Sequence, residues 1–359
     1  MIQRKDVAQS AEITSDLGPI RPDEEMDWKN LESWLRQHLP GFDGPMKVAQ
    51  FHGGHANLTY CLSFGAHDHV LRRPPKGTIA PGAHDMAREY RVLSGLSPSF
   101  DRAPMAIALC DDVAVIGAPF IVVERRYGVI VRDEIPETFR GQADVERRMS
   151  FALIDAMADL HAIIPEAVGL EGIGRPALFV ERQLEGWHHR WALARQQSLP
   201  LFEEVYETLL ASRPETRRHC IVHNDLKLDN CQFDPDDPDR VRSIFDWDMA
   251  TLGDPLVELG TLLSYWRNPG DVFYRAPTIA LDMQAFPTRS DLVSRYCQSG
   301  FDAEGIEWYE AFALWKQAAV LQQLYRRFEA GESKDSRFER LESFIPATLE
   351  GSRAILNGM

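Results

Sequence analysis

Residues 219–255 decide the fold of this 359-residue chain. Residues 219–233 read HCIVHNDLKLDNCQF, and residues 243–255 read SIFDWDMATLGDP. The apolar segment 220–222 leads into a His-x-Asp sequence, an asparagine follows that aspartate five residues later, and a second apolar segment ends at another aspartate. The pattern predicts two strands of one hairpin that bring the side chains of Asp225, Asn230 and Asp246 together.

The order His-x-Asp-x-x-x-x-Asn, followed by an apolar-Asp-aromatic step, is typical of the catalytic and metal-binding loops of a protein-kinase-like fold. Phosphoryl transfer from a magnesium nucleotide needs a carboxylate at the attacking hydroxyl and hard oxygen ligands for Mg²⁺. The motif therefore predicts Asp225 as the catalytic residue that orients the substrate hydroxyl, and Asn230 and Asp246 as metal ligands. Lys227 is predicted to contact the γ-phosphate. His223 is expected to hold the loop through its ring nitrogens.

A single aspartate at a strand end has a simpler explanation, because Asp-rich turns such as residues 234–239 are common. The ordered combination of His, Asp, Asn and a later strand-borne Asp favours the kinase-like site over that explanation. The alternative from another functional class is a nucleotide-binding pseudokinase that serves as a partner-binding module. Such a module would not require Asp225, Asn230 and Asp246 together.

The segments DLKLDN and FDWDMATLGDP resemble the aminoglycoside phosphotransferase and choline kinase group. They are more closely similar to bacterial phosphotransferases related to the N-terminal kinase domain of the acyl-CoA dehydrogenase fusion proteins. The resemblance implies an α+β fold of the protein-kinase-like, two-lobed type, with a small antiparallel β lobe and a larger, mostly helical lobe. The expected divisions are an N-terminal arm and helix (1–44), a nucleotide-binding small lobe (45–126) and a catalytic and substrate-binding lobe (127–359).

A glycine pair, Gly53 and Gly54, stands between two strand-like segments and is followed by Asn57. Glycines let backbone amides approach phosphate oxygens, which predicts a nucleotide-covering loop, although such a pair is more often only a hairpin turn. The next strand places Arg72 where a kinase-like fold has its phosphate-contacting lysine, and the subgroup it resembles also has arginine there. Arginine can neutralise the α- and β-phosphates with a forked geometry. Arg73 alternates to the opposite face and is expected to be solvated.

The helix predicted over residues 84–96 carries Glu89. This glutamate could equally be a solvated residue of a helix face, but the resemblance implies an orienting ion pair with Arg72. The strand that follows leaves the small lobe as a hinge. Its position in the fold predicts that backbone groups around Glu124 and Arg126 pair with the adenine edge.

Beyond residue 127 the apolar pattern is mostly helical. His161 is expected to be a hydrogen-bonded core histidine. The basic stretch 175–197 is typical of a solvated helix face, with contact to an acyl-carrier or CoA phosphate as the alternative. Asp254 precedes a helix and is either its N-cap or, as the resemblance favours, a brace of the catalytic loop. A core stripe on the last long helix is predicted for Trp308, Phe312, Trp315 and Ala319.

Composition limits the classes of function. A net charge of −15 argues against sequence-independent nucleic-acid binding, which depends on Lys and Arg. Five scattered cysteines without CxxC spacing favour a reducing compartment and no zinc site. No apolar targeting segment opens the chain and no run of 18 apolar residues occurs, so we expect a cytoplasmic protein without a membrane partner. Residues 1–26 are expected to form a loose arm.

The functional hypothesis is an ATP- and Mg²⁺-dependent kinase that phosphorylates the hydroxyl of a small molecule. The resemblance to the dehydrogenase-associated kinases suggests a hydroxyacyl-CoA as acceptor, whereas the aminoglycoside label suggests a polycation or an amino alcohol. The basic stretch 175–197 leans against a polycation, and the overall negative charge leans weakly for one. The sequence carries no signal for oligomeric state.

Overall fold

The structure, a computed structural model, describes residues 17–52, 57–76, 84–195, 198–275, 283–332 and 336–359. The chain divides into two compact units. The first comprises residues up to 130, 168–170 and 231–250, and the second comprises 131–167, 171–230 and 251–359. The lobe division that we drew from the sequence stays a prediction. The observed grouping differs from it in placing residues 231–250 with the first unit.

An antiparallel sheet of six strands forms the centre of the first unit, in the order β1-β2-β3-β4-β6-β5. Its strands are β1 (Leu17–Gly18), β2 (Met46–Phe51), β3 (Leu58–Phe64), β4 (His67–Arg73), β5 (Ala106–Cys110) and β6 (Phe120–Glu124). Alternate residues of β3, from Leu58 to Phe64, join one apolar cluster because successive side chains point to opposite faces of a strand.

Three helices accompany this sheet in the part of the unit that the structure describes: α1 (Trp28–His38), α2 (Met86–Leu96) and α3 (Val113–Ile116). The α1 helix begins after Asp27, whose carboxylate caps it by accepting a hydrogen bond of 3.0 Å from Asn30 N. Its Leu31 and Leu35 side chains are fully buried in the apolar cluster of the sheet. This amphipathic face fixes the helix against the sheet.

The segment before α1 corrects one expectation. We expected residues 1–26 to form a loose arm, but Leu17 and Gly18 pair with Phe51 and Gln50 as an edge strand. The fully buried Gln50 side chain also accepts a hydrogen bond of 2.9 Å from Arg21 N. A two-residue strand leaves no periodic pattern in the sequence, so its partner strand supplies the order. Residues 1–16 lie outside the described residues.

The second unit is mostly helical around a two-stranded sheet of β7 (Cys220–Val222) and β10 (Thr251–Gly253). Its helices are α4 (Val145–Ala162), α5 (Phe179–Ala194), α6 (Pro200–Ala211), α7 (Pro255–Tyr265), α8 (Arg289–Gln298), α9 (Ile306–Glu329) and α10 (Leu341–Gly358). The α9 helix is central, since α5, α6, α7 and α10 all contact it. The predicted core stripe on α9 is confirmed, because Trp308, Phe312, Trp315 and Ala319 are all buried.

The predicted catalytic hairpin is wrong in its strand pairing. Strand β7 pairs with β10, whereas β8 (Cys231–Asp234) pairs with β9 (Asp237–Ile244) in the first unit. The Asp-rich turn explains the difference, because the Asp234 carboxylate accepts a hydrogen bond of 3.0 Å from Asp236 N and closes a local hairpin. The residues of the motif therefore come from two separate two-stranded sheets.

All five cysteines are free thiols, and Cys220 and Cys231 beside the motif are buried as small apolar side chains, as expected. Within the described ranges, no helix has both the length and the apolar composition that crossing a bilayer requires.

Candidate active site

The loop after β7 carries the first half of the motif in a fixed conformation. Asn224 adopts a left-handed backbone (φ 68°), which asparagine tolerates better than most residues. A 3₁₀ turn (Leu228–Asn230) ends the loop, with Asn230 N donating to Lys227 O at 3.1 Å. The His223 ring holds the start, since its Nδ1 accepts from Asp225 N at 3.3 Å. Its expected role in the loop is confirmed.

The Asp225 carboxylate is held on one side only. Asn230 Nδ2 donates to Asp225 Oδ2 at 2.9 Å and to the Asp225 carbonyl at 2.8 Å. Lys227 Nζ lies 3.2 Å from the same carboxylate oxygen, Oδ2. Within the described chain, Oδ1 receives no hydrogen bond. The carboxylate is thus oriented by two donors through Oδ2.

A buried glutamate that the sequence analysis did not identify braces this loop. Glu258 Oε1 accepts from Asn224 N at 2.6 Å, and its Oε2 lies 2.7 Å from His161 Nε2. His161 Nδ1 in turn lies 2.9 Å from the Tyr296 hydroxyl. The expectation that His161 is a hydrogen-bonded core residue is confirmed. The sequence signal that could have identified Glu258 is its position as the one carboxylate in the otherwise apolar run PLVELGTLL.

Asp254 acts as the N-cap of α7. Its Oδ1 accepts from Leu256 N at 2.9 Å, and its Oδ2 accepts from the Tyr309 hydroxyl at 2.9 Å. The resemblance favoured a brace of the catalytic loop instead, but the contact that holds Asn224 comes from Glu258, one helical turn further along. Both carboxylates lie at the N-terminal end of α7, Asp254 as its N-cap and Glu258 in its first turn, where acidic groups are favoured.

Burial and mutual attraction set the charges beside Asp225. Burial disfavours the Lys227 ammonium, but the carboxylates of Asp225 and Asp229 outweigh it and raise the pKa of Lys227. Burial raises the pKa of Asp229 to about 6, against the opposing field of Lys227. The lysine therefore stays cationic at neutral pH, and the loop keeps a positive charge near the Asp225 carboxylate.

In the first unit, Arg72 joins two carboxylates. Its Nε lies 2.8 Å from Glu89 Oε1 and its Nη2 lies 2.6 Å from Asp246 Oδ1. The predicted ion pair with Glu89 is confirmed. Burial disfavours the Arg72 cation, but Glu89 and Asp246 outweigh it and raise the pKa of Arg72. Burial, reinforced by Asp246 and Asp248, raises the pKa of Glu89.

Asn57 connects to a second carboxylate near Asp246. Its Nδ2 donates to Asp248 Oδ2 at 3.3 Å, and its Oδ1 lies 2.8 Å from His84 Nδ1. Burial and then the Asp246 charge raise the pKa of Asp248. Gly53 and Gly54, which we predicted to cover the nucleotide, lie outside the described residues.

Comparison with known proteins identifies the family. The model of the phosphotransferase enzyme family matches residues 47–292. The chain belongs to this family. It is a phosphotransferase that acts on hydroxyl groups, and its α+β, protein-kinase-like fold is as predicted.

Relatives and solved structures agree with this assignment. Acyl-CoA dehydrogenase family member 11 of Homo sapiens is 31% identical over 90% of this chain and 42% of its own length, and family member 10 of Mus musculus is 28% identical over 89% and 30%. The chain thus spans less than half the length of these curated relatives. A "putative aminoglycoside phosphotransferase" from Ralstonia eutropha superposes with a TM-score of 0.75 at 29% identity, over 92% of this chain and 99% of that one. Choline kinase from Cryptosporidium parvum shares the fold, with a TM-score of 0.60 at 13% identity over 92% and 97%.

The segment that we predicted as the hinge of this phosphotransferase has a defined geometry. Glu124 Oε2 accepts from Met105 N at 3.1 Å and lies 2.9 Å from Arg126 Nε. The Glu124 backbone N–H donates to Met105 O at 2.9 Å, so this donor is already used within the sheet. Adenine pairing by Glu124 and Arg126 stays a prediction.

Arg73 is not solvated as expected. Only 4% of it is exposed, and its guanidinium donates to Ile116 O at 2.9 Å and to Pro74 O at 3.1 Å. Ile116 ends α3, where carbonyls lack helical partners. Strand alternation correctly separated Arg73 from Arg72, but it could not show that α3 covers the other face.

Two arginines of the basic stretch 175–197 have partners within the protein. The Arg182 guanidinium donates to the carbonyls of Arg175 and Ala177, and Arg195 pairs with Glu203 at 3.3 Å. Trp187 and Trp191 form the buried side of α5, and its other side is exposed, as expected for a solvated helix face. A phosphate contact from this stretch stays untested.

The predicted metal ligands suit a Mg²⁺ ion. In the described chain, no cluster of three or more His, Cys, Asp or Glu side chains could hold a metal by itself. Magnesium is usually held by one or two protein oxygens together with substrate phosphates and water. Because Asn230 Nδ2 donates to Asp225, its amide is oriented and its Oδ1 makes no hydrogen bond to the described residues. Asn230 Oδ1 and the Asp246 carboxylate are therefore hard oxygen donors of the required type.

Proposed function

We propose that this phosphotransferase transfers the γ-phosphoryl group of ATP to the hydroxyl of a small molecule, a hydroxyacyl-CoA, with Mg²⁺ as cofactor. The observation that carries the proposal is the state of Asp225. Asn230 and Lys227 orient its carboxylate through Oδ2 and leave Oδ1 without a partner in the described chain. A general base requires this combination of fixed orientation and an accessible oxygen.

In the proposed reaction, the oxygen of the substrate hydroxyl bonds to the γ-phosphorus, and Asp225 Oδ1 accepts the proton that this hydroxyl loses. The bond from the γ-phosphorus to the bridging oxygen breaks, and ADP and a phosphate ester leave. Lys227 and Arg72 offset the negative charge on the phosphoryl group and the remaining phosphates. Asn230 and Asp246 are the proposed metal ligands, and Mg²⁺ when bound supplies further charge neutralisation at the phosphates.

The choice of nucleotide and acceptor draws on the relatives. A structural neighbour with the same fold is a phosphotransferase in complex with AMP-PNP and hygromycin B, which supports ATP as donor. The curated relatives are acyl-CoA dehydrogenase family members, which supports an acyl-CoA derivative as acceptor. The second candidate acceptor is an aminoglycoside, favoured by the 29% identity to the Ralstonia eutropha structure.

Substitution of Asp225 by Asn tests the catalytic assignment. The amide keeps the size of the carboxylate but cannot accept the hydroxyl proton, so we expect ATP affinity within about 3-fold of wild type and a loss of phosphate transfer of at least about 100-fold. ADP release and ATP titration measure the two quantities. The control is Asp111→Asn, an exposed aspartate outside the motif. Turnover by Asp225→Asn equal to that of wild type removes Asp225 from its proposed role.

An acceptor panel tests the substrate class. ADP release is measured with hydroxyacyl-CoAs, aminoglycosides, amino alcohols and sugars at fixed Mg²⁺ and ATP concentrations. We expect the highest kcat/KM for a hydroxyacyl-CoA. Stimulation by none of these acceptors, with ATP still bound, favours the nucleotide-binding module instead.

A further inference from the structure

A cavity of about 110 Å³ lies in the second unit between α7 and α9, lined by side chains that include Tyr265, Lys316 and Gln317. One enclosed water needs roughly 10–15 Å³ of such space, whereas pockets for whole drug-sized ligands measure about 300 Å³ or more. The cavity is therefore sized for the end of a small molecule and not for a complete aminoglycoside.

Gln317 gives the cavity an unpaired amide. The residue is only 5% exposed, and neither its Nε2 nor its Oε1 has a hydrogen-bond partner in the described chain. A buried polar group without a partner lowers stability, and packing alone would favour Leu or Met at this position of α9. The described chain thus leaves the hydrogen-bonding capacity of this amide unused.

Lys316 adds a positive charge without a carboxylate partner. Its ammonium forms no ion pair with any described residue, and its Nζ lies 5.5 Å from the centroid of the Trp187 ring. Arg190 occupies the same ring at 4.5 Å and brings a second cation. Burial lowers the pKa of Lys316, although Asp225 and Glu258 oppose this effect. An anionic or strongly polar oxygen in the cavity would stabilise the charged form.

Tyr265 lines the cavity and lies within the electrostatic field of Asp225. Burial and then the Asp225 charge raise the pKa of Tyr265 to about 12, so its hydroxyl is a donor at neutral pH. The field of Asp225 reaches Lys316 as well. The hydroxyls of Thr261 and Ser264 donate to backbone carbonyls of their own helix and are not free to donate to a ligand. Tyr265, Lys316 and Gln317 are thus the donors that a ligand here would meet.

We propose that this cavity binds the acyl end of a hydroxy acid acceptor, with Lys316 and Gln317 donating to its acyl oxygens while the hydroxyl meets Asp225. The inference rests on the proposed function and specifies its acceptor. The same acyl chemistry occurs in a free hydroxy acid and in its CoA thioester, whereas a polycationic acceptor would be repelled by Lys316.

The experiment compares wild type with Lys316→Met and Gln317→Leu, which preserve much of the side-chain volume. The control is Arg326→Met, an exposed cation further along the same helix. Each protein is tested with straight-chain hydroxy acids of several hydroxyl positions, their CoA thioesters, the matching diols that lack the acyl oxygen, and an aminoglycoside. ADP release gives KM and kcat, and calorimetric titration gives acceptor binding without turnover.

For the preferred acyl acceptor, we expect each cavity variant to raise KM at least 10-fold with ATP affinity unchanged, and we expect a smaller rise of KM for the matching diol. Comparison of the free hydroxy acids with their CoA thioesters shows which form of the acceptor the protein uses. Gln317→Leu should also raise the melting temperature, because it removes the unpaired amide. Equal KM values in wild type and both variants overturn the inference and leave the proposed kinase activity intact. Preferred turnover of the aminoglycoside also overturns the inference. Acyl binding that depends on Lys316 without any phosphate transfer supports the site and refutes the proposed function.

Discussion

Replacement of Glu258 tests whether one buried carboxylate holds the catalytic loop in place. It is 1% exposed and joins Asn224 N at 2.6 Å to His161 Nε2 at 2.7 Å. Each hydrogen bond to a buried charged group contributes about 1.5–3 kcal/mol, so removal of both by Glu258→Ala should cost roughly 3–6 kcal/mol of unfolding free energy. Two donors would be left buried and unpaired.

Glu258→Gln distinguishes the contribution of the hydrogen bonds to stability from the contribution of the negative charge. The amide oxygen can still accept from Asn224 N, and the amide nitrogen can donate to His161 Nε2 if the imidazole proton moves to Nδ1 and donates to Tyr296. The network then stays complete and loses only its charge, so we expect a cost of about 1–2 kcal/mol. The two substitutions should therefore differ by several kcal/mol.

Urea denaturation followed by far-UV circular dichroism measures these free energies. The control is Glu207→Ala, an exposed glutamate on α6 of the same unit, for which we expect a change within about 0.5 kcal/mol. ADP release by Glu258→Ala should fall about 100-fold, because Asn224 precedes the catalytic aspartate and a small displacement of that group is costly. If Glu258→Ala stays within about 1 kcal/mol of wild type and keeps its kcat/KM, the bracing role is refuted.

Four further substitutions probe the packing and charges of the two units. For Asp229, the rise of the pKa from 3.8 to about 6 corresponds to ~3 kcal/mol of stability that is lost as the pH rises from about 4 to about 6. Asp229→Asn should therefore be more stable than wild type at pH 7 and equal to it below about pH 4, in urea titrations at several pH values. A Cβ on Gly260 would lie 2.6 Å from the Tyr309 backbone, so Gly260→Ala should lower the unfolding free energy by about 1–3 kcal/mol, whereas Gly186→Ala, with no atom within 4 Å, should raise it by up to ~1 kcal/mol. Arg73→Met should cost about 3 kcal/mol in the same assay, and a neutral result would show that its buried hydrogen bonds contribute nothing net.

The sequence predicted those parts of the fold that leave a local pattern. The α1 helix follows from Asp27 and the spacing of Leu31 and Leu35, and the core stripe of α9 follows from its aromatic residues. Strand partners were less accessible. Strand β7 is only three residues long, so its pairing with β10 is decided by tertiary packing and not by any sequence period.

Within the candidate site, the motif supplied the polar residues of the loop, but not the contacts that hold them. Glu258 is 34 positions from Asn224, and the buried environment of Arg73 depends on α3, which lies 43 positions away. Residues of this kind form hydrogen bonds with backbone atoms of distant segments. Every residue type has the same backbone atoms, so the sequence does not show which segment supplies the partner. For this reason motif reasoning predicts the reacting groups better than the groups that position them.

The arginine at position 72 explains how the carboxylates of the first unit coexist before a nucleotide binds. Its Nε and Nη2 point to different carboxylates, Glu89 at 2.8 Å and Asp246 at 2.6 Å, and a lysine has a single nitrogen to offer to both. Asp246 adopts a left-handed backbone (φ 71°), a conformation that is stable for a non-glycine residue only when its surroundings hold it there. Three carboxylates, those of Glu89, Asp246 and Asp248, lie near this guanidinium, and burial, together with the Asp246 charge, raises the pKa values of Glu89 and Asp248. A divalent cation at Asp246, which we propose as a metal ligand, would offset part of this negative charge.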